Sequence, residues 1–216
     1  MSPDYTSVSD FVQYYRETFV PAYSDVTSYL LNKPEEVLQG MENISSHMIQ
    51  YLDETKDTAV RQENLKKAFH HLERATLDCY KILWVRMETD LIEIIKDSEL
   101  RKFCVNTTEG TFLENYNEFL NRVRAARAYE LNNVGDEISV TVEYYKKVVE
   151  SGNLLCSFID KIKIQDYKET RKKWLKRITI KDILVGIIGA IAGAILWEIA
   201  RDSGTISAIV TYIFQK

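Results

Sequence analysis

The chain has 216 residues with 28 Lys and Arg, 32 Asp and Glu, a net charge of −4, and only 8 Gly and 3 Pro. So little Gly and Pro, with no low-complexity tract and no internal repeat, argues against sandwiches and for long helices. The small net charge hides an asymmetry, because residues 1–160 hold 17 basic and 27 acidic side chains, a net of −10, whereas residues 161–181 hold nine basic and two acidic ones.

The opening MSPDYTSVSDFVQYYRETF has acids and tyrosines where a signal peptide would have an apolar core, so no secretory leader is expected. Phe11, Tyr14, Tyr15, Phe19 and Tyr23 then recur at helical spacing and predict a first helix, with Pro21 as a kink or break that leaves it in one piece or two. In KPEEVLQGMENISSHMIQYLDET, Pro34 stands at a natural first-turn position and Glu35 and Glu36 favour the helix dipole. Val37, Met41, Ile44, Met48 and Leu52 fall along one face.

From Thr58 to Ser98 the apolar stripe is sustained through Leu65, Phe69, Leu72, Ala75, Thr76, Cys79, Leu83, Met87, Leu91, Ile94 and Ile95. It reads as one helix of roughly forty residues, of the kind used in elongated bundles. Asn106, Thr107, Thr108 and Gly110 make a linker and a helix-start signal, after which Phe112, Tyr116, Phe119, Leu120 and Val123 resume the pattern. A turn or kink is predicted at residues 132–137, and the pattern continues through Ile138, Val142, Tyr145, Val149, Leu155, Phe158 and Ile162. The β-branched run ISVTV sits inside this helical pattern, so no strand is predicted. Cys79, Cys104 and Cys156 are odd in number and lie in or beside apolar patterns, which reads as reduced, buried thiols without a disulfide framework.

Between residues 161 and 181 come Lys161, Lys163, Lys168, Arg171, Lys172, Lys173, Lys176, Arg177 and Lys181, with Trp174 among them. A solvated charge run is the plain explanation. Its position beside an apolar run fits a juxtamembrane collar, in which Lys168, Arg171, Lys172, Lys173, Lys176 and Arg177 meet anionic headgroups and the Trp174 indole lies at the interface. Residues 183–197 carry no charge, and counted through Ala200 the run covers about 27 Å as a helix, close to a thin hydrocarbon core. The soluble alternative is a buried hairpin helix at the centre of an oligomer.

Three glycines interrupt this run although each costs roughly 1 kcal/mol in a helix interior. Gly186, Gly189, Ala190, Gly193 and Ala194 fall on one stripe, where backbones could approach closely, and Gly189 with Gly193 forms a GxxxG pair. A merely apolar anchor that tolerates glycine is the alternative. Within residues 201–216, Ser203 and Gly204 are turn formers. Thr205 to Phe214 is apolar but too short to cross, so this tail is expected to lie in the interface or re-enter.

The predicted fold is therefore all-α: an elongated, antiparallel helical bundle with coiled-coil-like packing over residues 1–160, a basic juxtamembrane collar at 161–181, a transmembrane helix at 182–200 and the short apolar tail. By the positive-inside rule the protein is a single-pass membrane protein with a cytosolic N-terminal domain, in the inner membrane if the source is bacterial.

His47, His70 and His71 are the only histidines, and no Ser-His-Asp, Cys-His, HExxH, P-loop or dinucleotide-binding pattern exists. No catalytic residue, metal or cofactor is expected. The densest polar constellation is His70, Arg74, Asp78 and Lys81, at spacings of three or four on one helix face. It reads plainly as an ion-paired stripe. The sharper reading is a polar site for a nucleotide or RNA phosphate, with Arg74 and Lys81 on the anion and His70 titrating near neutrality.

The stretch KKAFHHLERATLDCYKI, residues 66–82, resembles helical segments of HEPN-type bundles, in which a paired helix carries a His, an Arg and apolar positions in this rhythm. The overall layout, a helical cytosolic domain joined to one or two membrane helices, is similar to small membrane-bound proteins of bacterial phage-defence systems. Nuclease members of the HEPN group carry an Arg followed by four to six residues and a His. No such pair occurs here: Arg61 lies nine positions before His70, and Glu42 stands five before His47. The resemblance thus implies a helical bundle and argues against ribonuclease activity. Three function classes are carried forward: a non-enzymatic membrane effector, a tail-anchored scaffold and, disfavoured, a nuclease. The expected partners are the lipid bilayer, further copies of the chain, and a cytosolic protein or nucleotide signal; nucleic acid is not expected.

Overall fold

A computed structural model describes residues 7–134, 138–177 and 180–202, and these are all-helical apart from short connections. Two compact units divide the chain, Met1–Lys161 and Ile162–Lys216.

The first unit opens with α1 (Val8–Tyr14), capped by the Ser7 hydroxyl, which accepts from the Asp10 amide. A π-helical segment, Tyr15–Phe19, follows and runs directly into α2 (Val20–Leu30). Pro21 therefore does not break the rod. Its ring has no N–H to offer and would crowd the carbonyl four residues back, and the wider π turn, with the Val20 amide donating to the Tyr15 carbonyl, absorbs this just ahead of the proline. The extra residue also resets the apolar face. Phe11 and Tyr14 meet Phe69, whereas Tyr15 is exposed, and burial resumes at Phe19, Ala22 and Val26. Leu31, at φ 57°, takes the left-handed conformation that ends α2.

Pro34 is the N-cap of α3 (Glu35–Leu52), one position earlier than the first-turn site that the sequence suggested, with both glutamates in the first turn. Only Val37 and Ile44 of this helix are buried, and Leu52, at the end of its predicted face, is exposed. Asp57 caps α4 (Thr58–Lys96), the 39-residue helix expected from the long apolar stripe. The stripe is wider than its periodicity implied, since Ala68, Leu77, Tyr80 and Trp84 are buried as well. Such breadth follows from α4 being packed by α3, by α2 and the π segment, and by α7.

Asp97 ends α4 and caps α5 (Ser98–Cys104), a short helix not foreseen between the long apolar stripe and the linker at residues 106–110. Arg101 holds this corner together: it donates to the Ile95 carbonyl (2.6 Å) at the end of α4 and to the Glu109 carboxylate (2.6 and 3.0 Å) at the start of α6. The hydrogen bond and charge of Arg101 keep the Glu109 carboxyl below its ordinary pKa. Thr108 caps α6 (Glu109–Asn132) as the helix-start signal indicated.

α7 (Ile138–Ser157) returns along α6. It does not run on to Ile162. The chain turns extended at Ile159, which forms an isolated bridge with Val105, and the Asp160 amide donates to the Cys104 carbonyl (2.8 Å). Ile162 is consequently exposed rather than the last residue of a core stripe.

Paired residues fix the directions of these helices. Gly40 lies beside Ala75 and Tyr51 beside Arg61, so α3 runs against α4. Lys81 lies over Tyr145 and Met87 beside Gly152, so α7 runs with α4, while Glu130 bonds both Lys81 and Tyr145 and sets α6 against them. Cys79 and Cys104 are buried in this core and Cys156 is half-buried, none of them in a disulfide; burial pushes the Cys79 thiol up to about 12.

The second unit contains α8 (Lys161–Arg177), which begins on the last residue of the first unit, and α9 (Ile180–Asp202). The tail from Ser203 onward, expected to be interfacial or re-entrant, lies outside the described residues.

Candidate functional site

The four polar residues predicted on one face of α4 are divided among three groupings. Arg74 pairs with Asp78 at 3.5 Å, with the guanidinium well exposed. Burial raises the Asp78 carboxyl above its usual range, against the nearby charges of Arg74 and Lys81. Lys81 turns instead to Glu130 on α6, and that carboxylate also accepts from the Tyr145 hydroxyl on α7 (2.8 Å). The Lys81 ammonium additionally lies 5.5 Å from the centre of the Tyr145 ring. His70 is exposed and belongs to a third group.

The Lys81–Glu130–Tyr145 triad ties three helices together. Burial opposes ionisation of Glu130, but the hydrogen bonds from Lys81 and Tyr145, with the charges of Lys81 and Arg74, hold its pKa below the ordinary carboxylate value. The sign of the linkage follows. A carboxyl depressed in the fold stabilises above its unfolded pKa, near 4.5, and that contribution is lost as pH falls through the folded value. Glu130→Gln is expected to cost about 1 kcal/mol near neutrality, the net worth of a hydrogen bond strengthened by charge. It should also flatten the loss of stability between about pH 5 and 3. Thermal melts of both proteins across that range would check this; parallel acid limbs would show the triad to be energetically idle.

The third group was not foreseen. His47 of α3 stacks on His71 of α4 with ring centres 5.2 Å apart and planes 14° from parallel, and His70 stands edge-on to His71 at 6.1 Å. All three histidines of the chain thus meet in one place. Faces rather than nitrogen edges oppose each other in the stack, and among the described residues no cluster of metal-ligating side chains converges. Periodicity shows only residues sharing one helix, which is why the pairing of His47 with His71, like that of Lys81 with Glu130, left no mark in the sequence. A register drawn across the turn at 132–137 could have brought Glu130 towards Tyr145.

In the second unit, Lys168, Arg171, Lys172, Lys173 and Trp174 all lie exposed on α8, and of Lys176 and Arg177 only the backbone is described. α9 contains the one stretch among the described residues that is long and apolar enough to cross a membrane, Asp182–Arg201, and none of it is buried within the chain. Twenty residues rise about 30 Å, the thickness of a hydrocarbon core. Glu198 lies 3.5 Å from Arg201 one turn on, so the single charge near the end of the apolar run has a partner. A Cβ placed on Gly186, Gly189 or Gly193 would meet no atom within 4 Å. Ala190 and Ala194 share their side of the helix, Trp197 extends it, and Ile187, Ile188, Ile191 and Ile195 occupy the opposite one.

No family model, curated protein or solved structure matches this chain.

Proposed function

We propose that the protein is a membrane-anchored, non-enzymatic helical effector, held by α9 in the bilayer with the acidic helical unit in the cytosol, and that copies assemble through the glycine face of α9 to perturb or signal at the membrane. The observation that carries this reading is the character of α9: long enough to span, apolar, wholly exposed, and open at Gly186, Gly189 and Gly193. A helix exposing this much apolar surface to water would be an aggregation hazard, whereas lipid is a good solvent for it. The exposed basic residues of α8 supply the attraction to anionic headgroups, each worth about 1 kcal/mol near the surface, and their position ahead of α9 sets the cytosolic orientation. Antiviral defence is the setting we infer from the resemblance of the layout to membrane-bound defence proteins, with a cytosolic protein or nucleotide as the trigger.

The test is dye release. Full-length protein reconstituted into vesicles containing anionic lipid is expected to release a trapped fluorophore. Intact vesicles carrying fully inserted protein would instead support a tether, in which the bundle holds a cytosolic partner at the membrane without disturbing it.

A further inference from the structure

The histidine stack sits where α3 has least else to hold it. Burial in α3 ends at Ile44; beyond that residue Ile49 and Leu52 are 65% and 63% exposed. Met48 is half-buried, and the other attachments of this half are polar or aromatic. His47 Nδ1 lies 2.9 Å from Asn64 Oδ1, the Arg61 guanidinium donates to the Tyr51 carbonyl and lies over its ring, and the stack itself joins the two helices. The Asn64 amide nitrogen donates to the Val60 carbonyl at 2.9 Å, which leaves Oδ1 to accept and fixes the proton of His47 on Nδ1.

On α3 the acids are Glu35, Glu36 and Glu42, all more than one turn before His47, and from Asn43 to Leu52 the helix carries no ionisable side chain other than His47 and Tyr51. On α4 the charged neighbours one turn away are Lys66, Lys67, Glu73 and Arg74, of which Lys67 is paired with Glu63 and Arg74 with Asp78. From the other elements on α4, α1 brings the Tyr14 ring against Phe69, the π segment carries the exposed Arg16 and Glu17, α2 brings Asp25 towards Tyr80 and Tyr29 to Asp90, α7 brings Glu143 and Glu150 towards Tyr80 and Tyr145 to Lys81, and α5 adjoins its far end. The charges that act on His71 are those of His47 and His70, and burial together with them pushes its pKa down. Two imidazolium rings with centres 5.2 Å apart repel each other, the more so where water is excluded between them.

We propose that the His47–His71 stack is a proton-operated clasp: mild acid charges the pair, and the C-terminal half of α3, residues 45–52, releases from α4. The direction follows from linkage. Near pH 7.5 both folded and unfolded forms hold His71 neutral; below its unfolded value of about 6.5 the unfolded or released form binds the proton more readily, so the closed form loses stability as pH falls.

Hydrogen exchange on the full chain in lipid nanodiscs tests this. After correction for intrinsic rates, amides of residues 45–52 are expected to exchange about tenfold faster at pH 5.5 than at pH 7.5, with those near Val37 unchanged; tenfold corresponds to about 1.4 kcal/mol. His71→Gln, which keeps polarity and cannot charge, should abolish the difference, and His70→Gln should retain most of it. Equal protection at both pH values, or an acid response preserved in His71→Gln, would overturn the clasp. Should His71→Gln fail to fold, imidazole titration in the unaltered protein decides: His71 titrating below the ordinary range and in dependence on His47 supports it, and independent, ordinary curves for the two rings overturn it.

Discussion

Gly189→Leu combined with Gly193→Leu is expected to leave the protein in the membrane while dissociating the proposed oligomer and removing dye release. Both substitutions raise hydrophobicity, so insertion should be kept or improved. What they take away is a surface. Among the described residues nothing beyond the helix's own backbone lies within 4 Å of a Cβ at Gly186, Gly189 or Gly193, and leucines at two of those positions would hold a neighbouring helix off by the bulk of their side chains. Lipid tails are as apolar as leucine, so association between such helices depends on close packing rather than on hydrophobicity, and the loss should be of assembly and not of anchoring. Crosslinking in native membranes, compared with carbonate extraction, separates these effects. An unchanged oligomer in the double variant would move association to the helical unit and reduce α9 to an anchor. Ile188→Leu with Ile191→Leu, on the opposite side, should do nothing to either measurement.

Helix starts and the longest helix were legible because their signals are local. Thr108 announces α6 by its hydroxyl, and the apolar stripe from Leu65 to Ile94 needs only a constant period to reveal α4. The π segment was not legible, since Phe11, Tyr15 and Phe19 also satisfy an ordinary four-residue spacing. Only contact with Phe69 shows that Tyr14, not Tyr15, belongs to the buried face. The end of α7 was missed for a related reason: Phe158 and Ile162 keep the helical period, but pairing between Ile159 and Val105, 54 positions earlier, decides the backbone there. The four polar residues of the predicted stripe lie on α4, but their partners were not foreseen. His70, Arg74, Asp78 and Lys81 are close along the helix, yet Lys81 is held by Glu130 and His70 stands with His71 and His47, and partners supplied by other helices have no periodic trace. The apolar run of α9 and its glycines, by contrast, depend on composition alone and could be read directly.

Gly152→Leu is expected to destabilise the helical unit strongly. This glycine lies in the interior of α7 and is buried where α4, α6 and α7 meet. A Cβ built there would stand 2.6 Å from the Met87 sulfur, closer than real side chains approach, and a tight 3.3 Å from the Phe119 ring. The methyl group of an alanine could be accommodated by a shift of the flexible methionine, and the helix propensity gained, about 1 kcal/mol, would offset much of that cost. Leucine adds three further carbons with nowhere to go, because Leu155 and Val148, one turn either side on α7, are themselves fully buried. Overpacking of this kind costs typically 1–3 kcal/mol and more where neighbours are rigid, a large part of the 5–15 kcal/mol that folded domains possess. A double-variant cycle isolates the cause. Met87→Ala alone should cost about 2–5 kcal/mol through the cavity it leaves, and combined with Gly152→Leu the loss should be smaller than the sum, because each change fills or empties the same space. Urea unfolding followed by helical circular dichroism measures all four proteins. Additive losses would mean that Gly152 is needed for the course of the α7 backbone and not for the approach of Met87.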